Sequence, residues 1–139
     1  MQPLAKSHIR IARPTNNIEP IRHFYCDGLG FDIVSSFRDH NGFDGLMVGL
    51  EDHDYHLEFT SKHGHDVGKA PTEDNLLVFY LEDEKWAAAV DRIERAGYGS
   101  VQSFNPWWNA HGKTYEDADG YRVVLWKGGW VNRKRESTL

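Results

Sequence analysis

The chain has 139 residues, of which 40% are hydrophobic and 27% charged, and its net charge is −5. That length suits one domain with a buried core, and the charged fraction is ordinary for a globular protein. The acidic balance argues against nucleic acid as the main partner. The only basic run, Arg133-Lys134-Arg135, is followed at once by Glu136 and reads as a solvated end.

Cys26 is the single cysteine, so no intrachain disulfide can form, which suits a reducing compartment. Among Phe24, Tyr25 and Leu29 it reads as a packed thiol rather than a nucleophile. Met1 to Arg13 holds no apolar signal segment, and no long apolar run follows. The expected location is the cytoplasm, with no membrane span.

In chain order, His8 to Ala12 alternates and predicts a strand. Asn16-Asn17 offers a cap for a helix with Ile18, Ile21, Phe24 and Tyr25 on one face, stopped at Gly28. Phe31–Phe37, Leu46–Leu50 and Tyr55–Thr60 predict three more strands. Ser61 to Asp74 is polar and reads as a linker; its His63-Gly64-His65 is a solvated loop rather than a metal site.

The order then repeats. Asn75–Leu81 predicts a strand, and Asp83 a cap for a helix presenting Trp86, Val90 and Ile93 and ending at Gly97. Val101–Phe104 predicts a further strand, followed by the loop Asn105-Pro106-Trp107-Trp108-Asn109. The stretch Thr114–Trp126 holds Asp119-Gly120 between two β-rich runs, a strong hairpin signal. Leu29-Gly30-Phe31, Val34, Ser36 and Phe37 recur 67 residues later as Ala96-Gly97-Tyr98, Val101, Ser103 and Phe104. Repetition of sequence and element order predicts an α+β fold of two tandem βαβββ modules, about residues 6–62 and 74–130. Curved mixed sheets with one helix each leave a face to bury around a cleft, the default ligand site.

The chain resembles the vicinal-oxygen-chelate superfamily, which includes glyoxalase I, extradiol dioxygenases and the bleomycin- and fosfomycin-resistance proteins. The residues that bear the resemblance are His8-Ile9-Arg10-Ile11, Phe24-Tyr25 with Leu29-Gly30-Phe31, His56-Leu57-Glu58-Phe59, and Glu116 to Leu125. It implies one domain that is commonly dimeric, and a divalent metal (zinc, nickel, manganese or iron) held by side chains from four strands. His8 matches the first ligand position and Glu58 the carboxylate of the first module. In the second module the 67-residue offset places Asn75 opposite His8, or Leu76 in a register one residue later, and the last position is Val124. Two defensible ligands are fewer than a catalytic metal site needs.

Strand alternation adds Arg10, His56, Thr60, Arg122 and Trp126 to the cleft side. Two arginines suggest an anionic or carbonyl-bearing ligand, unless either pairs with Glu58. Trp107, Trp108, Tyr115 and Trp126 would form an aromatic wall suited to a flat ligand. Three functions follow from these residues. The first is a dimeric protein that binds or sequesters a small molecule. The second is a lyase- or isomerase-like enzyme using His8 and Glu58, as metal ligands or as an acid–base pair. The third is an interaction module whose own rings plug the cleft.

Overall fold

Two runs of strands, each with a helix against one face, make up the computed structural model, which describes residues 1–139. The first run comprises β1 (Ile9–Pro14), α1 (Ile18–Arg22), β2 (Asp32–His40), β3 (Phe43–Gly49) and β4 (Tyr55–Lys62). The second comprises β5 (Leu76–Leu81), α2 (Asp83–Arg95), β6 (Gly112–Glu116) and β7 (Arg122–Lys127). The sheet orders are β1-β4-β3-β2 and β5-β7-β6. In each sheet the first strand lies parallel to the last, with Ile9 opposite Tyr55 and Leu76 opposite Arg122. Parallel neighbours require a crossover, and in both runs that crossover includes the helix. The α+β pair of modules read from the sequence is therefore present.

Three local readings change. The expected strand Val101–Phe104 shrinks to one bridge between Val101 and Thr114. The reason is local: Pro106 lacks an N–H and Asn105 Oδ1 accepts from Trp107 N, so the chain coils into a 3₁₀ turn over Pro106–Asn109. Asp83 does not cap α2. Glu82 takes that position without a side-chain bond, and Asp83 enters the first turn, where its charge suits the helix dipole. α1 is capped by Asn17, whose Oδ1 accepts from Glu19 N, and it widens into a π-turn over His23–Gly28.

The helical segments lie between the sheets. Ile21, Phe24 and Tyr25 pack with Leu57 and Phe59, while Val90 and Ile93 pack with Val123 and Leu125, in one contiguous core. Each fully buried side chain of this size contributes about 1.5–3 kcal/mol. The Trp86 ring belongs to that layer, its Nε1 donating to the Leu125 carbonyl at 2.8 Å. No helix is long and apolar enough to cross a membrane.

The Asp-Gly hairpin forms as the sequence implies, and Gly120 takes a φ of +88° that a side chain would oppose. The carboxylate that organises it is Asp117, whose Oδ1 accepts from the N–H groups of Asp119 and Tyr121. Asp117 Oδ2 accepts from the Tyr25 hydroxyl at 2.7 Å, so the turn of one module is tied to the helical segment of the other.

Candidate functional site

With the helices between the sheets, each sheet turns its other face outward. On the first sheet Ile11, Leu57 and Phe59 face the core, so alternation sets Arg10, His56, Glu58 and Thr60 on the open face. His8, just before β1, joins them: its Nε2 lies 2.6 Å from His56 Nδ1. Arg10 Nε donates to His56 Nε2 at 2.9 Å, and its NH1 is 3.4 Å from Glu58 Oε2. A guanidinium can only donate, so His56 Nε2 accepts, its proton sits on Nδ1, and that proton is shared with His8. Four predicted residues thus form one chain, Glu58–Arg10–His56–His8. Partial burial holds the His56 imidazole below its usual value, helped by the charges of Arg10 and His8 and opposed by Glu58. His56 is therefore neutral at pH 7.

On the second sheet Leu77, Phe79, Val123 and Leu125 pack towards α2. The open face therefore holds Leu76, Val78 and Tyr80 with Arg122, Val124 and Trp126. Asn75 lies outside β5, is exposed, and has the phase of core-facing Leu77, so it does not stand opposite His8. The later register applies, and Leu76 opens the free face. Trp107 stacks on Trp126 with centroids 5.7 Å apart and 20° between planes, and Trp108 meets Trp126 edge-on at 5.5 Å. Gly112 permits this: a Cβ there would lie 2.7 Å from the Trp108 carbonyl oxygen and 3.1 Å from Val124. Val124 is fully buried, whereas Trp107 remains 61% exposed.

Two residues expected to line the cleft are used elsewhere. Tyr115 points the opposite way from Thr114, into the core, and its hydroxyl donates to Glu94 Oε2 at 2.7 Å. Alternation within β6 accounts for this reversal. Arg122 is buried and already partnered: Nε donates to Glu116 Oε2 at 3.0 Å, NH1 to the Gln102 carbonyl, and NH2 lies 3.4 Å from Glu73. Its cross-strand position opposite Glu116 was readable from the hairpin register. His111, which meets Trp126 edge-on at 5.7 Å, had no sequence signal.

The metal chemistry implied by the resemblance does not fit these residues. Arg10 places a permanent cation against both His56 and Glu58, among the groups that would have to hold the ion. No three His, Cys, Asp or Glu side chains are grouped to hold a metal. The corresponding face of the second sheet presents Leu76 and Val124, which have no donor atoms. That deficit holds whether the second sheet belongs to the same chain or to another copy.

Two mixed sheets, of four and three strands, with helices on one side and a free face on the other match the vicinal-oxygen-chelate fold, shared with glyoxalase, bleomycin-resistance and fosfomycin-resistance proteins. Within that fold the chain belongs to the YycE-like family: residues 9–60 match its N-terminal domain and residues 74–127 its C-terminal domain. It is 42% identical over 129 residues to the uncharacterized protein YycE of Bacillus subtilis (strain 168), covering 92% of this chain and 93% of the relative. The crystal structure of a Bacillus subtilis YycE protein of unknown function superposes with a TM-score of 0.84, over 93% of this chain and 95% of that one. Two more distant structures share the fold. FosX, a fosfomycin resistance protein from Mesorhizobium loti, has a TM-score of 0.65 and 12% identity over 88% and 90% of the two chains. TnmS3, an antibiotic binding protein from Streptomyces sp. CB03234, has a TM-score of 0.62 and 21% identity over 90% and 98%.

Proposed function

We propose that the chain binds a small, flat organic molecule against Trp107 and Trp126, and that binding itself, in the manner of a sequestering protein, is the function. The observation behind this reading is the exposure of Trp107. A ring that plugged a gap would be buried, but this one lies on Trp126 with most of its surface free. Within one chain, therefore, the ring plugs no gap. Stacking and burial favour aromatic or extended apolar ligands. The polar end of such a ligand would meet the His8–His56–Arg10 group, with Arg10 able to donate to a carbonyl or carboxylate. Because that group and the tryptophans lie on different sheets, the working form is a homodimer in which the open faces of two copies meet in a shared cleft.

Native mass spectrometry of untreated protein, combined with metal analysis, tests the reading directly. A co-purifying organic molecule without stoichiometric metal is the expected result. A stoichiometric divalent ion that a chelator removes together with a lyase or isomerase activity would overturn it in favour of the metal-dependent alternative on His8 and Glu58.

A further inference from the structure

Beyond β7 the chain bends at Gly128, whose N–H donates to the Leu81 carbonyl at 2.8 Å. The bend lays Trp130 against Tyr80, with ring centroids 5.8 Å apart and 37° between planes. Both rings keep much of their surface free, Trp130 59% and Tyr80 38%. Between this pair and the first turn of α2 opens a cavity of about 800 Å³, also lined by Glu82, Asp83, Glu84 and Lys85. Neither the Trp107–Trp126 cluster nor the His8–Glu58 group lines it.

The chemistry of this cavity is one-sided. Three carboxylates stand against one ammonium, and aromatic faces are electron-rich and attract cations. A bare helix N-terminus would favour an anion, but Asp83 and Glu84 already occupy the first turn of α2, so a further anion meets like charge. Trp130 already engages a cation from the chain itself: the Arg135 guanidinium carbon lies 4.8 Å from the ring centroid.

We propose that this cavity binds an organic cation, a protonated or quaternary alkylammonium. Trp130 and Tyr80 lie against its alkyl groups, and Glu82, Asp83 and Glu84 supply the countercharge. Arg135 acts as a tethered competitor for the Trp130 face. The site adjoins the open face, where Tyr80 pairs with Trp126, but none of its lining residues belongs to the Trp107–Trp126 cluster, so signals from Trp130 and Glu82–Lys85 report on it apart from the ligand proposed there.

The test is a titration of the full chain with tetramethylammonium chloride, with sodium chloride at matched ionic strength as control, following the Trp130 indole N–H by NMR. A saturable shift of that signal and of the Glu82–Lys85 amides is expected with tetramethylammonium alone. Trp130→Ala should remove the amide shifts and Trp130→Phe should retain them in weakened form. Arg135→Ala should tighten binding about two- to five-fold by freeing the ring. No saturable shift in the parent, unchanged amide shifts in Trp130→Ala, or the same shifts with sodium sulfate would each overturn the proposal.

Discussion

The Tyr25 hydroxyl and Asp117 Oδ2, 2.7 Å apart, join the helical segment of the first module to the hairpin of the second. Burial raises the Asp117 carboxyl above its ordinary value, although its bonds from Tyr25, Asp119 and Tyr121 oppose that shift. Tyr25→Phe removes one hydrogen bond to a charged group and should cost about 1.5–3 kcal/mol by chemical denaturation. A raised folded value means that the stability contributed by Asp117 is fully present below the ordinary carboxyl value. It is lost as pH rises through the folded one. Asp117→Asn should therefore cost more stability at about pH 4 than at pH 7. An equal cost at both would contradict the raised value.

Trp107 should matter for ligand more than for folding. Trp107→Ala removes a largely exposed ring and should change stability by less than about 0.5 kcal/mol. Affinity for a flat aromatic ligand should fall roughly two- to ten-fold. Fluorescence titration of parent and variant reads this, and equal affinities would remove Trp107 from the site.

Gly112→Ala should disturb the same cluster from below. Its new Cβ meets the Trp108 carbonyl, a backbone atom that cannot swing aside. A loss of about 1–3 kcal/mol in thermal or urea unfolding is expected, with a change in near-ultraviolet circular dichroism from the displaced tryptophans. Parent-like values for both would show that the loop is not seated on Gly112.

His56 should titrate below the usual imidazole value. Because burial is the largest cause and the Arg10 charge the next, Arg10→Met should raise the midpoint without restoring it fully. A depressed folded value means that His56 favours folding above the unfolded value near 6.5, and that this advantage is lost as pH falls below it. NMR titration of the imidazole protons in parent and variant checks both statements. An unchanged midpoint in Arg10→Met would contradict the contact with Arg10.

His8→Ala should leave the metal content of the purified protein unchanged, because Arg10 already occupies the space among the would-be donors. Elemental analysis of both proteins decides the matter. A divalent ion present in the parent and missing from the variant would show that Arg10 moves aside to admit metal.

Much of the fold was legible because its signals are local. Alternation marked β1, β4 and β7, and the Asp-Gly turn marked the hairpin. The 67-residue recurrence announced two modules. The site was legible where alternation alone decides the face, as for Arg10, His56 and Glu58. It failed where a neighbour in space decides. Glu94 and the core claim Tyr115, Glu116 and Glu73 neutralise Arg122, and the Asn105–Pro106 turn leaves only Val101 of a predicted strand paired. These are tertiary choices that no spacing records.

The one-residue difference between the sequence recurrence and the strand register has a consequence for anyone grafting residues between the modules. Tyr55 stands opposite Ile9 and Arg122 opposite Leu76, both 46 residues apart, so shifts of 67 and 68 superpose the two ladders equally well, but only 68 keeps each position on its face. Copying Arg10 to Leu77, as the 67-residue recurrence suggests, would drive a charge beneath α2, whereas Val78, its counterpart in the later register, faces outward. A single-residue slip exchanges every side chain of a strand between ligand and core at once.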